Sequence, residues 1–139
     1  MSKTANVTEA QIIEEINKQA AGFDKSKVDE VISHEEEIDD KSEKLNPDRF
    51  KKLTNQVKLA IEMIKDFKAK RYREIPWRSI MLLSAVLLYF LNPFDFIPDI
   101  LPVLGYTDDA LAVAGVFKSM QSDLKRYCEW KGYDLKNYF

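Results

Sequence analysis

The apolar positions of this chain recur at helical spacing almost from end to end, and no stretch alternates convincingly with period two. Ile12, Ile13, Ile16 and Ala20 share one face of a first helix, opened by the capping box Thr8-Glu-Ala-Gln11 and stopped at Gly22. Asp24 caps a second helix, with Phe23 and Val28 placed to form a hydrophobic staple. Its stripe of Val28, Val31, Ile32, Ile38 and Leu45 is thin and interrupted by Glu35, which predicts a weakly docked or mobile helix. Asn46-Pro47 restarts the chain, Asn as cap and Pro at the first helical position. Phe50, Leu53, Val57, Ala60, Ile64 and Phe67 then give the cleanest stripe in the sequence, while Lys51, Lys52, Lys58, Lys65, Lys68 and Lys70 occupy the opposite face.

A second pattern begins after Ile75-Pro76. Residues Ile80 to Leu91 are apolar apart from Ser84, and Asn92-Pro93 ends the run because proline disfavours helical geometry in the residue before it. Pro98 and Pro102 break up the segment between Asn92 and Gly105 into turns and short helical pieces. Thr107-Asp108-Asp109 supplies a hydroxyl cap and two first-turn carboxylates for a last helix. That helix runs through Ala110–Phe117, becomes amphipathic at Met120, Leu124, Tyr127 and Cys128, and should close at Gly132. The expected fold is all-α, a helical bundle with an apolar hairpin over about 76–131 joined by a Pro-rich, Asp-containing turn. An acidic helical extension, 1–46, precedes a helical domain, 47–139, made of a basic helix (47–74) and the hairpin.

Charge sharpens this division. Residues 1–50 carry 7 basic and 13 acidic side chains, 51–78 carry 9 and 3, and 79–139 carry 5 and 7, so the overall −2 hides zones of −6, +6 and −2. The single cysteine, Cys128, has no partner for an internal disulfide. Glu9, Glu14 and Glu15 interrupt the first twenty residues, so no secretory signal is expected there.

The apolar hairpin admits two readings. Twelve residues of helix span roughly 18 Å against a hydrocarbon slab of roughly 30 Å, so Ile80–Leu91 alone does not cross. Extending it to Ile75 brings in Arg78, which would have to snorkel. Both flanks are basic, and the joining segment has four aspartates with no Lys or Arg. Under the positive-inside tendency this would put both termini in the cytoplasm. The other reading is the buried pair of a soluble, cytoplasmic bundle.

Tyr89-Phe-Leu-Asn-Pro-Phe-Asp-Phe-Ile-Pro-Asp-Ile-Leu-Pro-Val-Leu-Gly-Tyr-Thr-Asp-Asp109 resembles the signature of the YkvA-like family, the domain of unknown function 1232. The matching positions are Tyr89, Asn92, Pro93, Asp95, Ile97, Pro98, Asp99, Pro102, Gly105, Tyr106, Asp108 and Asp109, with Leu101 where isoleucine is usual. The resemblance covers roughly Pro76 to Lys125. It implies a small, membrane-associated helical protein with no established enzymatic activity or cofactor, and it tips the hairpin towards the membrane.

Asp95, Asp99, Asp108 and Asp109 are the candidate chemistry. They suit a Mg²⁺ or Ca²⁺ site, whose ligands are hard oxygens. Helix capping is the preferred reading, because it explains each residue separately: Asp95 lies three residues after Asn92, Asp99 follows Pro98 at the start of a short helix, and Asp108 and Asp109 lie at a helix start. No metal or other cofactor is required. Lone His34 and distant Cys128 do not form a nucleophile pair, and there is no Gly-rich phosphate loop or CxxC. Lys68, Lys70, Arg71, Arg73 and Arg78 run directly into the apolar helix and suit anionic lipid better than nucleic acid, for which no reading motif is present. Trp77, Tyr72 and Trp130 fit an interfacial belt. The expectation is a non-enzymatic, membrane-associated helical protein, its N-terminal helices available to a protein partner. The alternatives are a soluble helical interaction module and, more remotely, a divalent-cation-binding protein.

Overall fold

The computed structural model describes residues 9–96 and 109–139. Among them every regular element is helical: α1 (Glu9–Ala20), α2 (Lys25–Ser33), α3 (Glu35–Glu43), α4 (Pro47–Lys68), α5 (Trp77–Leu91), α6 (Pro93–Phe96), α7 (Asp109–Ser119), α8 (Gln121–Lys131) and a 3-10 turn at Leu135–Asn137.

The architecture is a bundle built around α5. Ile80, Met81 and every residue from Leu83 to Phe90 are buried. Such all-round burial needs cover on all sides, and α1, α2, α3, α4 and α7 pack against it. Ser84, its one polar side chain in the apolar run, donates to the Ile80 carbonyl at 2.9 Å, so nothing polar is stranded. The apolar surface that raised the membrane question is thus covered by other helices of the same chain. At 15 residues α5 is roughly 22 Å long. No helix among the described residues is long and apolar enough to cross a membrane.

The N-terminal region corrects the expectation of a weakly docked second helix. His34 leaves helical geometry (φ −110°, ψ 17°) and divides that helix into α2 and α3. The bend lets each piece turn its few apolar residues inwards, and Val28, Val31 and Ile38 are buried. Charge does the rest. Lys58 on α4 reaches Asp39 at 2.6 Å and Glu43 at 2.5 Å, Lys65 reaches Glu35 at 3.1 Å, and Lys68 pairs with Asp29. The acidic zone lies on the basic face of α4, a pairing across zones that a stripe count on one helix does not register.

The caps follow the sequence closely. Asp24 accepts from the Ser26 hydroxyl and from the Ser26 N–H at 2.9 Å, and these two bonds, the hydroxyl first, hold its carboxyl below the ordinary carboxylate value. Asn46 accepts from the Asp48 N–H at 2.9 Å. Thr8, the expected first cap, lies outside the described residues. The expected stripe on α4 buries Leu53, Val57, Ala60 and Ile64, and burial extends further, to Leu59, Ile61, Met63 and Asp66. The final helix is two helices, because Met120 adopts the same φ −110°, ψ 17° as His34. Gly132 ends α8 at φ 78°, a left-handed conformation that costs glycine little. The N–H groups of Gly132 and Tyr133 bond the Glu129 and Cys128 carbonyls, the pairing of a Schellman cap.

Candidate functional site

The motif end of the bundle begins where α5 stops. Asn92 accepts from the Asp95 N–H at 3.3 Å and donates its amide to the Asp95 carboxylate at 2.8 Å. Asp95 therefore answers to the side chain of Asn92, whose own N–H is taken by the Leu88 carbonyl. Pro93 is buried beneath this turn. Asp109 opens α7, and its carboxylate meets Lys41 at 2.9 Å. The Lys41 ammonium also donates to the Phe90 carbonyl at 2.5 Å and lies 4.9 Å from the centre of the Phe90 ring.

One lysine of α3 thus satisfies a carbonyl in the last turn of α5 and a carboxylate in the first turn of α7. The charge signs suit both helix ends. Nothing around Lys41 in the sequence marks it, since its partners are 49 and 68 residues away. Asp99, Asp108, Pro98, Pro102, Gly105 and Tyr106 lie outside the described residues. Among those described, no group of three or more His, Cys, Asp or Glu is placed to hold a metal ion. Asp95 and Asp109 each have the partners just named.

A second cluster lies where α4 turns towards α5. Asp66 is only 6 % exposed. Its carboxylate accepts from the Tyr127 hydroxyl and from Arg71 Nε at 2.8 Å, with Lys131 at 3.4 Å. Burial pushes its carboxyl up, but Tyr127, Arg71 and Lys131 together outweigh that and leave it below the ordinary carboxylate range. Burial first, and then the Asp66 hydrogen bond, raise the Tyr127 phenol. The Asp66 carbonyl also receives the N–H groups of Arg71 at 2.9 Å and Tyr72 at 3.3 Å, so one residue holds the start of the connecting turn through both its side chain and its backbone. Tyr72 is buried under it, 4.9 Å from the Tyr127 ring and 5.0 Å from the Trp130 ring. The sequence held a faint signal for this: an aspartate beside Ile64 and Phe67, inside an apolar stripe.

This anchored turn sorts the five basic candidates. Lys68 is taken by Asp29 and Arg71 by Asp66. Lys70, Arg73 and Arg78 are exposed and have no ion-pair partner among the described residues. Trp77, which lies between Arg73 and Arg78 in the chain, is 47 % exposed and Trp130 of α8 is 49 % exposed, the exposed large hydrophobics among the described residues. Arg126 of α8 donates to the Glu74 carbonyl at 3.4 Å, tying this turn to the helix that carries Trp130. Tyr72, grouped with these tryptophans in the sequence, is buried instead.

The residues of possible nucleophilic chemistry are apart. Cys128 is buried, and burial raises its thiol. His34 Nδ1 lies 2.7 Å from Glu37 on the exposed side of the α2–α3 bend.

Residues 79–115, which run from the first turn of α5 into α7, match the model of a family described as a protein of unknown function, DUF1232. Over 81 residues the chain is 28 % identical to the "Uncharacterized membrane protein YkvA" of Bacillus subtilis (strain 168), an alignment covering 58 % of this chain and 76 % of that protein. No solved structure matches. The family-model match falls on α5 and the start of α7, and together with the similarity to YkvA it supports assignment of this segment to the YkvA-like DUF1232 family.

Proposed function

We propose that this protein is a non-enzymatic helical bundle that attaches to the surface of anionic membranes through the α4–α5 turn. The observation that carries the reading is the exposure of Trp77, which lies between Arg73 and Arg78 in the chain, and of Trp130, whose ring packs 5.0 Å from Tyr72 in the same turn, together with Lys70, Arg73 and Arg78, which have no ion-pair partner among the described residues. Indole rings favour the headgroup region, and cations beside them gain from anionic lipid. Magnitude sets the mode of attachment. Three cations at roughly 1 kcal/mol each give weak, salt-sensitive adhesion, so the tryptophans must add an apolar anchor. Similarity to a protein described as a membrane protein supports the location. The burial of α5 favours attachment from the surface over insertion of the hairpin with both termini cytoplasmic.

A second reading rests on the same burial: a soluble interaction module whose hairpin is simply its core. Sedimentation with vesicles separates the two. The chain should pellet with vesicles containing phosphatidylglycerol, stay in solution with pure phosphatidylcholine, and leave the membrane in high salt, where exposed charges are screened. Replacing Lys70, Arg73 and Arg78 by Gln should abolish the preference for anionic lipid. Trp77→Ala with Trp130→Ala should weaken binding at every salt concentration. Recovery in the supernatant with both vesicle types would favour the interaction module. Pelleting that only detergent reverses would mean the hairpin inserts.

A further inference from the structure

A groove of about 420 Å³ lies between the end of α1, the first turns of α5 and the α7–α8 bend. That is within the range of small-molecule sites, roughly 300–1,000 Å³. Its apolar lining comes from Ala20 and Ala21 of the α1 end, Met81 and Leu82 of α5 and Met120 at the bend, of which Ala20, Met81 and Met120 are buried. Two methionines suit a flexible occupant, because the unbranched thioether adapts its shape.

The rim is polar, and its charges are uneven. Trp77 and Arg78, both exposed, are among the residues that line the groove. Asp123 also lines it, its carboxylate accepting from the Ser79 hydroxyl at 3.0 Å. Arg78 makes no ion pair with it or with any other described residue. The groove therefore offers one free guanidinium for an anion, and one nearby carboxylate that would repel a second negative charge. Trp77 and Arg78 also belong to the turn proposed above to face the membrane, so the mouth of the groove opens beside that surface.

We infer that this groove binds the acyl chain of a monoanionic, single-chain amphiphile, a fatty-acid carboxylate being the simplest. The chain lies along Ala21, Leu82 and Met120, and the head pairs with Arg78. The membrane-surface reading supplies the source of this ligand, but the groove itself can be tested without a membrane.

The test is a ¹⁵N–¹H NMR titration of the full chain with laurate below its micelle-forming concentration. Saturable shifts should cluster at the amides of Ala20, Ala21, Ser119 and Asp123. Arg78→Gln should weaken binding roughly tenfold, as expected for loss of one charge-assisted hydrogen bond. It should leave binding of dodecanol, which has no charge, unchanged. Ala21→Phe fills the groove from an exposed position and should abolish the shifts. Leu82→Gln, at a half-buried position, should weaken them and serves as a second obstruction.

Absent shifts, shifts spread over the surface, or shifts untouched by both obstructing variants would overturn the inference. So would concentration-dependent shifts at these amides without laurate, which would give the groove to a second copy of the chain. A wild-type protein that ignores anionic vesicles yet keeps its laurate shifts would refute the membrane surface and support the groove. Laurate taken up only from vesicles, and never from solution, would support the membrane surface and refute the groove.

Discussion

The acidic helices α1–α3 and the hairpin helices α5 and α7 are both covered in this bundle, but by different physics. The hairpin is held by apolar burial with almost no charge in its interior: α5 is buried from Ile80 to Phe90 except for half-buried Leu82. The acidic helices contribute a handful of apolar residues, such as Ile12, Ile16, Val31 and Ile38, and α2 and α3 add ion pairs to α4. Added salt should therefore loosen the acidic helices more than the hairpin. The difference teaches that a thin apolar stripe docks when its partner carries both an apolar groove and the opposite charge.

The comparison breaks most severely in the hairpin. Phe90→Ala removes a fully buried ring that also lies against the Lys41 ammonium. It should cost about 3–5 kcal/mol, read as a lower urea midpoint with one cooperative transition. Loss of α1–α3 protection alone, with the hairpin intact, would mean the two regions are not one unit.

The seam between them comes next. A Cβ added at Gly115 of α7 would meet Ile13 Cδ1 of α1 at 2.6 Å. Alanine can be met by a shift of that flexible side-chain end. Gly115→Leu cannot, and overpacking of roughly 1–3 kcal/mol should fall on α1. Faster hydrogen exchange in α1 than in α5 is the expected signature.

Acid should act through the anchored turn. Because the Asp66 carboxyl is held below its ordinary value, the folded state binds that proton less readily than the unfolded chain. Its stabilisation is complete above the ordinary carboxylate value of about 4 and is lost as pH falls through the lower folded value. Asp66→Asn should cost roughly 1–3 kcal/mol at neutral pH and flatten the loss of stability in acid. An unchanged acid limb in urea titrations would remove Asp66 from this role.

The smallest effect belongs to the charged interface. Asp39 and then Glu43, by their hydrogen bonds, hold the Lys58 ammonium above its ordinary value. Yet all three side chains are at least a third exposed. Lys58→Ala should cost under about 1 kcal/mol, and the cost should fade with added salt. A salt-independent loss would mean that the lysine stem, and not its charge, holds α3 in place.

Much of the fold was legible because it is written locally. The caps at Asp24 and Asn46, the stripe on α4 and the stop at Gly132 each depend on residues a few positions apart. The two helix breaks were not. His34 and Met120 bend the chain with ordinary side chains in a conformation open to most residues, so no proline or glycine announces them. Lys41 and Asp66 escaped for a different reason. Their meaning lies in partners brought from other helices, Asp109 in one case and Tyr127 in the other. The basic run illustrates both limits: five cations look alike in sequence, and only Asp29 and Asp66, supplied by the fold, separate Lys68 and Arg71 from the free three.

The interleaving of charge has a consequence for any cut in the chain. The acidic excess lies almost wholly before α4: residues 1–50 carry −6, and the remaining 89 residues carry +6 and −2, a net of +4. Severing the α3–α4 connection and releasing the acidic helices would invert the sign of the protein. The piece left behind would also lose three of the helices that cover α5 and the carboxylates that occupy Lys58, Lys65 and Lys68. A single proteolytic event would turn an acidic, closed bundle into a cationic one with an apolar flank, and its elution would move from an anion exchanger to a cation exchanger.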